Sequence, residues 1–490
     1  MVDTVPRTQH RPGLMLALLA FAQFIVAADY NIVYVALPDI GHALGFTAQS
    51  LQWVVSAYAV AFGGLLLFGG RLVDRLGARR IFILGAAIFG ISCLVGGLAT
   101  DPGVLITARA VQGLGGALLS PATLTLVNIR FEEGAERNRA MAVWGASGSG
   151  GLAAGALLGG LLTNAWGWEW VLFILVPMAL LAAVAAPALL PADERSQSGG
   201  SFDVPGALLA TAGSSLLVLG LVSGPEAGWG SLRGVGSIGA GVLLLAVFAL
   251  VENKTREPLI PMRLFGNRSL VTAIVVILVF QSALAGSYYL FTNYMQGVLG
   301  YDALEAGLAF LPLTIISMGA SLKITGVLLG KWGPRATLFT GMLINGTGMI
   351  ILALGMSTGA TFWQLVPGLV VWGIGGGVTF PAMFVCAASG VAPSEAGIAS
   401  ALASASQQIG GAAGLAVLVA IANAGLNLDS GATPAVADVS DGLRTAMWIG
   451  GAASVIGGLL AFTLKKPGSA APAAADAPAQ QSDELGAVSH

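Results

Sequence analysis

GRLVDRLGARR, residues 70–80, separates two apolar runs, and GVLLGKWGPRA, residues 326–336, does the same 256 positions later. The pair aligns Gly70 with Gly326, Gly77 with Gly333 and Arg79 with Arg335. Two further matches keep the order: QGLGGALLSP (112–121) with WGIGGGVTFP (372–381), sharing G-x-G-G-x-x-x-x-P, and GLAAG (151–155) with GGAAG (410–414). Glycine richness alone does not hold three matches in order at offsets between 256 and 260. The chain therefore consists of two related halves. Paired helical repeats that rock about a midplane site are how many secondary transporters achieve alternating access.

Around these motifs the composition is that of a membrane protein. Of 490 residues, 56% are hydrophobic and only 9% charged, whereas a soluble chain this long needs far more charge on its surface. Seventy glycines without a G-X-Y period suit close packing of membrane helices. A span takes about 20 apolar residues. That ruler gives fourteen candidates, starting near residues 13, 49, 79, 101, 139, 168, 204, 235, 268, 304, 335, 361, 396 and 443. The first, Gly13 to Leu37, is too long for a signal-peptide core and no cleavage-like site follows it, so it reads as a retained span.

Two six-helix bundles follow, over 13–192 and 257–466, joined by a linker (193–256) with two extra transmembrane helices. Residues 1–12 form an N-terminal segment, and the Ala/Pro-rich polar tail 467–490 is expected to be disordered. Eighteen of the 22 Lys and Arg fall in the N-terminal segment, the even-to-odd loops and the tail, which places both termini in the cytoplasm.

Enzyme chemistry finds no support in the sequence. It has no G-x-x-x-x-G-K-[ST] loop for a nucleotide. His10, His42 and His490 lie in tails or a loop and offer no metal cluster, and nothing suggests nucleic-acid binding. Cys93 and Cys386 fall in apolar runs and read as buried hydrophobes.

Three stretches carry a family likeness. GRLVDRLGARR fits G-x-L-x-D-R-x-G-x-R-R, LITARAVQGLGGA (105–117) is similar to L-x-x-x-R-x-x-Q-G-x-G, and AADYNIVYVALP (27–38) looks like L-D-x-T-I-V-N-V-A-L-P. Nearly the whole chain thus resembles the major facilitator superfamily, in particular its fourteen-helix drug:proton antiporter branch. The resemblance implies an all-α polytopic membrane protein with fourteen transmembrane helices in a bacterial cytoplasmic membrane. It also implies an amphipathic or cationic small-molecule substrate, protons as the coupled ion, and a proton gradient in place of any cofactor. A symporter, a metabolite or lipid exporter, and a non-transporting sensor stay open as alternatives.

Site residues follow from the motifs. Asp29 and Arg109 lie roughly 13 Å and 12 Å inside their spans by helix rise, at one level, and an ion pair or shared water network is plausible there. A salt bridge that only holds the fold competes with the preferred role, proton coupling, in which Asp29 is loaded from a water-filled cavity. At the cytoplasmic end of span 2, Asp74 lies among Arg71, Arg75, Arg79 and Arg80, between Gly70 and Gly77, and can form a latch that breaks when the transporter changes state. Its counterpart is Gly330, so the second half lacks the acid.

Span 5 keeps Gly151, Gly155, Gly159 and Gly160, but Ala156 stands where the antiporter motif G-P-x-x-G-G has proline, which leaves antiport and symport both open. Candidates for the substrate cavity are Tyr30, Trp53, Tyr58, Gln112, Gln281, Tyr288, Tyr289, Asn293, Lys323, Gln407 and Gln408. Aromatic rings and amides suit amphipathic molecules. Lys323 divides between the cavity and snorkelling, while Tyr294 and Tyr301 fit an interfacial belt.

Overall fold

The structure is a computed structural model. It describes residues 12–461 except 47, 52, 194–203, 228–230, 256–257, 259, 302, 393–394, 425 and 427–434, so the expected disordered tail lies outside the described residues. Among the described residues every regular element is helical.

We label the helices α1 (Pro12–Leu44), α2 (Trp53–Leu76), α3 (Ala78–Gly97), α4 (Pro102–Arg130), α5 (Ala135–Trp166), α6 (Trp170–Leu189), α7 (Val204–Ala227), α8 (Ser237–Glu252), α9 (Arg268–Asn293), α10 (Glu305–Gly355), α11 (Phe362–Ala388), α12 (Ala396–Asn423) and α13 (Val436–Leu460). Among the described residues, twelve segments are long and apolar enough to cross a membrane, against the fourteen expected. The difference has two sources. Within α7 only the shorter stretch Pro205–Leu221 is apolar enough, and α10 runs 51 residues where two spans are expected. Gly333 breaks α10 with a φ of 76°, just before Pro334.

Local chemistry sets the helix starts. Asp101 caps α4 by accepting from Gly103 N at 2.9 Å and Val104 N at 3.2 Å, with Pro102 in the first turn, where a missing N–H costs nothing. Asn267 caps α9, and its amide also donates to the Ser389 and Gly390 carbonyls at 3.2 Å, tying α9 to the end of α11. Thr361 and Gln364 form a capping box on α11.

The two halves repeat one packing scheme. α1 packs on α5, α4 on α2 and α3, and α3 on α6; correspondingly, α9 packs on α12, α11 on both arms of α10, and the far arm of α10 on α13. Matched glycines do matched work. A side chain at Gly151 or Gly155 would collide with the Phe24 or Ala28 carbonyl of α1, and one at Gly410 or Gly414 with Leu278 or Ser282 of α9. Gly77 and Gly333 both hold positive φ, 96° and 76°, where other residues are strained. Between the halves, α2 and α4 meet α12, α5 meets α10 and α11, α7 packs on both α2 and α12, and α8 packs mainly on α7.

Candidate functional site

The bundle brings Asp29 of α1 and Arg109 of α4 together. Arg109 Nη1 donates to Asp29 Oδ1 at 2.8 Å and Oδ2 at 3.1 Å. It also donates to Gln112 Oε1 at 2.7 Å, while Gln112 Nε2 donates to Asp29 Oδ1 at 2.8 Å. Arg109 Nε donates to the Val54 carbonyl at 3.0 Å, and its guanidinium carbon lies 4.5 Å from the centre of the Tyr58 ring. Gln112 is one helical turn from Arg109, which is why both reach one carboxylate.

The cluster is sealed. Asp29 exposes none of its surface, Arg109 2% and Gln112 1%. This corrects the expectation that Asp29 faces a water-filled cavity: in this conformation no water route reaches it. Tyr58 and Gln112 are likewise wall and ligand of the ion pair, not free cavity groups. The Val54 carbonyl was not legible beforehand, because a backbone acceptor on another helix leaves no mark in residue type. Three groups hold Arg109 besides Asp29: a carbonyl, an amide oxygen and a ring face. All three stabilise a cation, so the guanidinium keeps partners if the carboxylate is neutralised.

A second carboxylate joins the two halves. Asp74 at the end of α2 accepts from Gly397 N at 2.8 Å and Ile398 N at 3.0 Å, the first free amides of α12. A helix N-terminus offers unpaired donors and partial positive charge, so it suits an anion. The fit requires glycines: a Cβ at Gly397 would strike Asp74, and one at Gly70 would strike Ala401. The partners of Asp74 that these bonds show are backbone amides 323 positions away. Of the flanking arginines, Arg79 and Arg80 present their backbone amides to Asp193 at 2.9 Å and 3.1 Å, which fixes the start of α3 beside Gly77.

The same end of the interface is closed in layers. Beyond Asp74, Thr125 Oγ1 donates to Ser400 Oγ at 3.4 Å, and the Ser120 and Ser404 hydroxyls lie 3.5 Å apart. Across the other seam, Ser321 Oγ donates to the Ala142 carbonyl at 2.8 Å, and Trp144 stacks on Phe380 and meets Phe384 edge-on.

The remaining candidates scatter. Tyr30 is 40% exposed, and Tyr34, also exposed, lies 6.0 Å from it, ring to ring. Tyr288 is half-buried against Phe310 and Trp372, at 5.0 and 5.3 Å. Tyr289, the next residue round the helix, is exposed, and Asn293 turns back to donate to its carbonyl. Trp53 lies beside Arg233. Gln281 Oε1 is buried with no partner among the described residues. Gln407 is half-buried, and Gln408 sits where α2, α7 and α12 meet. Gly151, Gly155 and Gly159 face α1, while Gly160 has ordinary room. Tyr294 is no belt residue: it is buried, its hydroxyl donating to Ser357 O and accepting from Ser357 N. Lys323 is exposed between exposed Leu322 and Ile324, outside the buried cluster of Asp29 and Arg109.

Comparison with known proteins places this geometry. The family description "Major Facilitator Superfamily" matches residues 19–415. The chain is 41% identical to the puromycin resistance protein pur8 of Streptomyces alboniger, over 86% of this chain and 84% of that one. It is 39% identical to the cephamycin export protein CmcT of Amycolatopsis lactamdurans, over 84% and 85%. Among solved structures, the human organic anion transporter MFSD10 superposes with a TM-score of 0.65 at 14% identity, covering 92% of this chain and all of that one, a likeness of fold.

Proposed function

The chain belongs to the Major Facilitator Superfamily, as a multi-pass transporter and not an enzyme, and we propose that it exports antibiotic-like small molecules in exchange for protons. The observation that carries this reading is the sealed Asp29–Arg109–Gln112 cluster inside a two-half bundle closed at one end. Export, as distinct from uptake, rests on relatives named for antibiotic resistance and export.

In this reading the helices amount to fourteen spans, with α7 counted as one and α10 as two on either side of Gly333. The bundles are 13–192 and 257–466. The end carrying Asp74 and the basic loops faces the cytoplasm of a bacterial cell. The described state is therefore closed inward and ready to exchange with the outside. Tyr30 and Tyr34 line the substrate path on α1, next to the residue that carries the charge. A proton arriving at Asp29 cancels the ion pair, and Arg109 rests on Val54, Gln112 and Tyr58 while α1 is free to shift on its glycine-lined contact with α5. Loss of that proton to the inside restores the pair and resets the cycle.

The test is a drug-susceptibility panel in an efflux-deficient host, with and without a protonophore. Resistance that the protonophore abolishes is expected; resistance indifferent to it would end the proton reading. Ala156 favours a second reading, symport, because the antiporter branch carries proline there. The sign of the pH change on adding substrate to inverted vesicles separates the two.

A further inference from the structure

The interface between the halves is roofed on one side only. Where α2 meets α12, α7 packs on both: Ser214 Oγ donates to Gly64 O at 3.0 Å, and a Cβ at Gly63 would touch Val218 of α7 and Gln408 of α12. Where α5 meets α10, α11 packs on both, through Trp144 and Phe380, and among the described residues no other helix packs extensively on the two. Among the described residues no helix roofs the outer side of this second seam. Here α10 exposes Ile315, Met318 and Leu322, whose spacing of three and four residues puts them on one face. Met318 lies against Gly150, on the flank of α5 turned away from the α1-facing row Gly151 and Gly155.

Lys323 stands beside this apolar stripe, next to Leu322. It occupies the middle of a single π turn, Ser321–Thr325, a rare geometry that tends to mark function. Both ends of the turn point inward, with Ser321 bonded to Ala142 O at 2.8 Å and Thr325 to Gly377 O at 3.1 Å. Lys323, halfway round, points out between exposed Leu322 and Ile324. No carboxylate among the described residues pairs with it. Counting from Lys331, its backbone is roughly 12 Å inside the span, and a four-carbon stem covers only part of that distance. A cation held in hydrocarbon draws in an anion, and on a lipid-facing surface the anion to hand is a phospholipid phosphate.

We propose that Lys323 and the open α5–α10 seam bind the headgroup phosphate of an anionic phospholipid from the leaflet at the basic end. The acyl chains then run along Leu322, Met318 and Ile315 toward the membrane centre. The site is independent of which molecule the transporter carries.

The test uses the detergent-purified full chain, titrated with short-chain phosphatidylglycerol, phosphatidylcholine or inorganic phosphate, and read by native mass spectrometry and thermal unfolding. Wild type and Lys323→Arg are expected to retain a phosphatidylglycerol adduct and to be stabilised by it. Lys323→Gln is expected to bind it roughly fivefold more weakly or worse, the value of one basic contact at a membrane surface. If Lys323→Gln folds poorly, Lys323→Met, which keeps the stem, carries the comparison. Equal retention by wild type and the neutral variants would overturn the proposal. So would an equal preference for phosphatidylcholine, the signature of simple snorkelling, or an equal effect of inorganic phosphate, the signature of a free-anion site.

Discussion

At Asp29, neutralising the acid and neutralising the pair are different experiments. Asp29→Asn leaves Arg109 buried without its counter-ion, and breaking a buried pair from one side costs about 3–5 kcal/mol. We expect that variant to unfold at lower temperature and to lose proton-driven export at normal membrane levels. Adding Arg109→Gln removes the stranded charge, so the double variant should recover most of the lost thermal stability. Export should not return with it. A double variant that transports like wild type would make the pair a structural bolt and nothing more; Asp29→Asn exporting normally would remove the coupling role outright. Tyr58→Leu bears on the same argument, since in the proposed cycle the ring, 4.5 Å from the guanidinium carbon, is to support Arg109 once Asp29 is neutralised. A cation–π contact is worth about 0.5–2 kcal/mol, so turnover should slow roughly twofold to thirtyfold with little effect on substrate affinity.

Among the helices, the glycine row of α5 decides how close α1 can lie. Gly155→Ala drives a methyl into the Ala28 carbonyl, one residue before Asp29, and overpacking of this kind costs about 1–3 kcal/mol. Gly160→Ala, which meets only Val35 at ordinary contact distance, should stay within about 0.5 kcal/mol of wild type. Thermal unfolding in detergent compares the two, and equal effects would mean that the row does not set the spacing. This division also explains what the sequence made legible. Span starts near 101, 268 and 361 were readable from where the apolar runs begin, and Asp101, Asn267 and Thr361 cap the helices at those points. The depth match of Asp29 and Arg109 was readable because helix rise is uniform. What stayed hidden depends on rotation and on distant backbone. The outward face of Lys323 is fixed by a π turn no residue type announces, and Asp74 finds its partners on a helix 323 positions away. Tyr294 looked interfacial by position, yet its hydroxyl satisfies both backbone groups of Ser357.

For the molecule as a whole, the layered closure at the basic end makes the relative position of the halves a measurable equilibrium. Asp74→Asn keeps one acceptor for the α12 amides but turns an N–H donor toward the other. Losing one charge-assisted bond, about 1.5–3 kcal/mol, moves a two-state balance roughly tenfold to a hundredfold toward the state open at that end. Substrate binding should survive and turnover should fall, because the cycle no longer returns readily to the closed state; lost binding would contradict the latch. A crosslink reads the same equilibrium directly. The Ser120 and Ser404 hydroxyls are 3.5 Å apart, close enough for cysteines there to bring two sulfurs within bonding reach when the seam is shut. Oxidising Ser120→Cys/Ser404→Cys should stop transport and leave substrate binding from the opposite face intact, and a reductant should restore turnover. In an Asp74→Asn background the same pair should crosslink roughly tenfold more slowly, because the seam is less often closed. An unchanged crosslinking rate would show that Asp74 does not govern closure, and full transport by the crosslinked protein would show that the halves need not part at all.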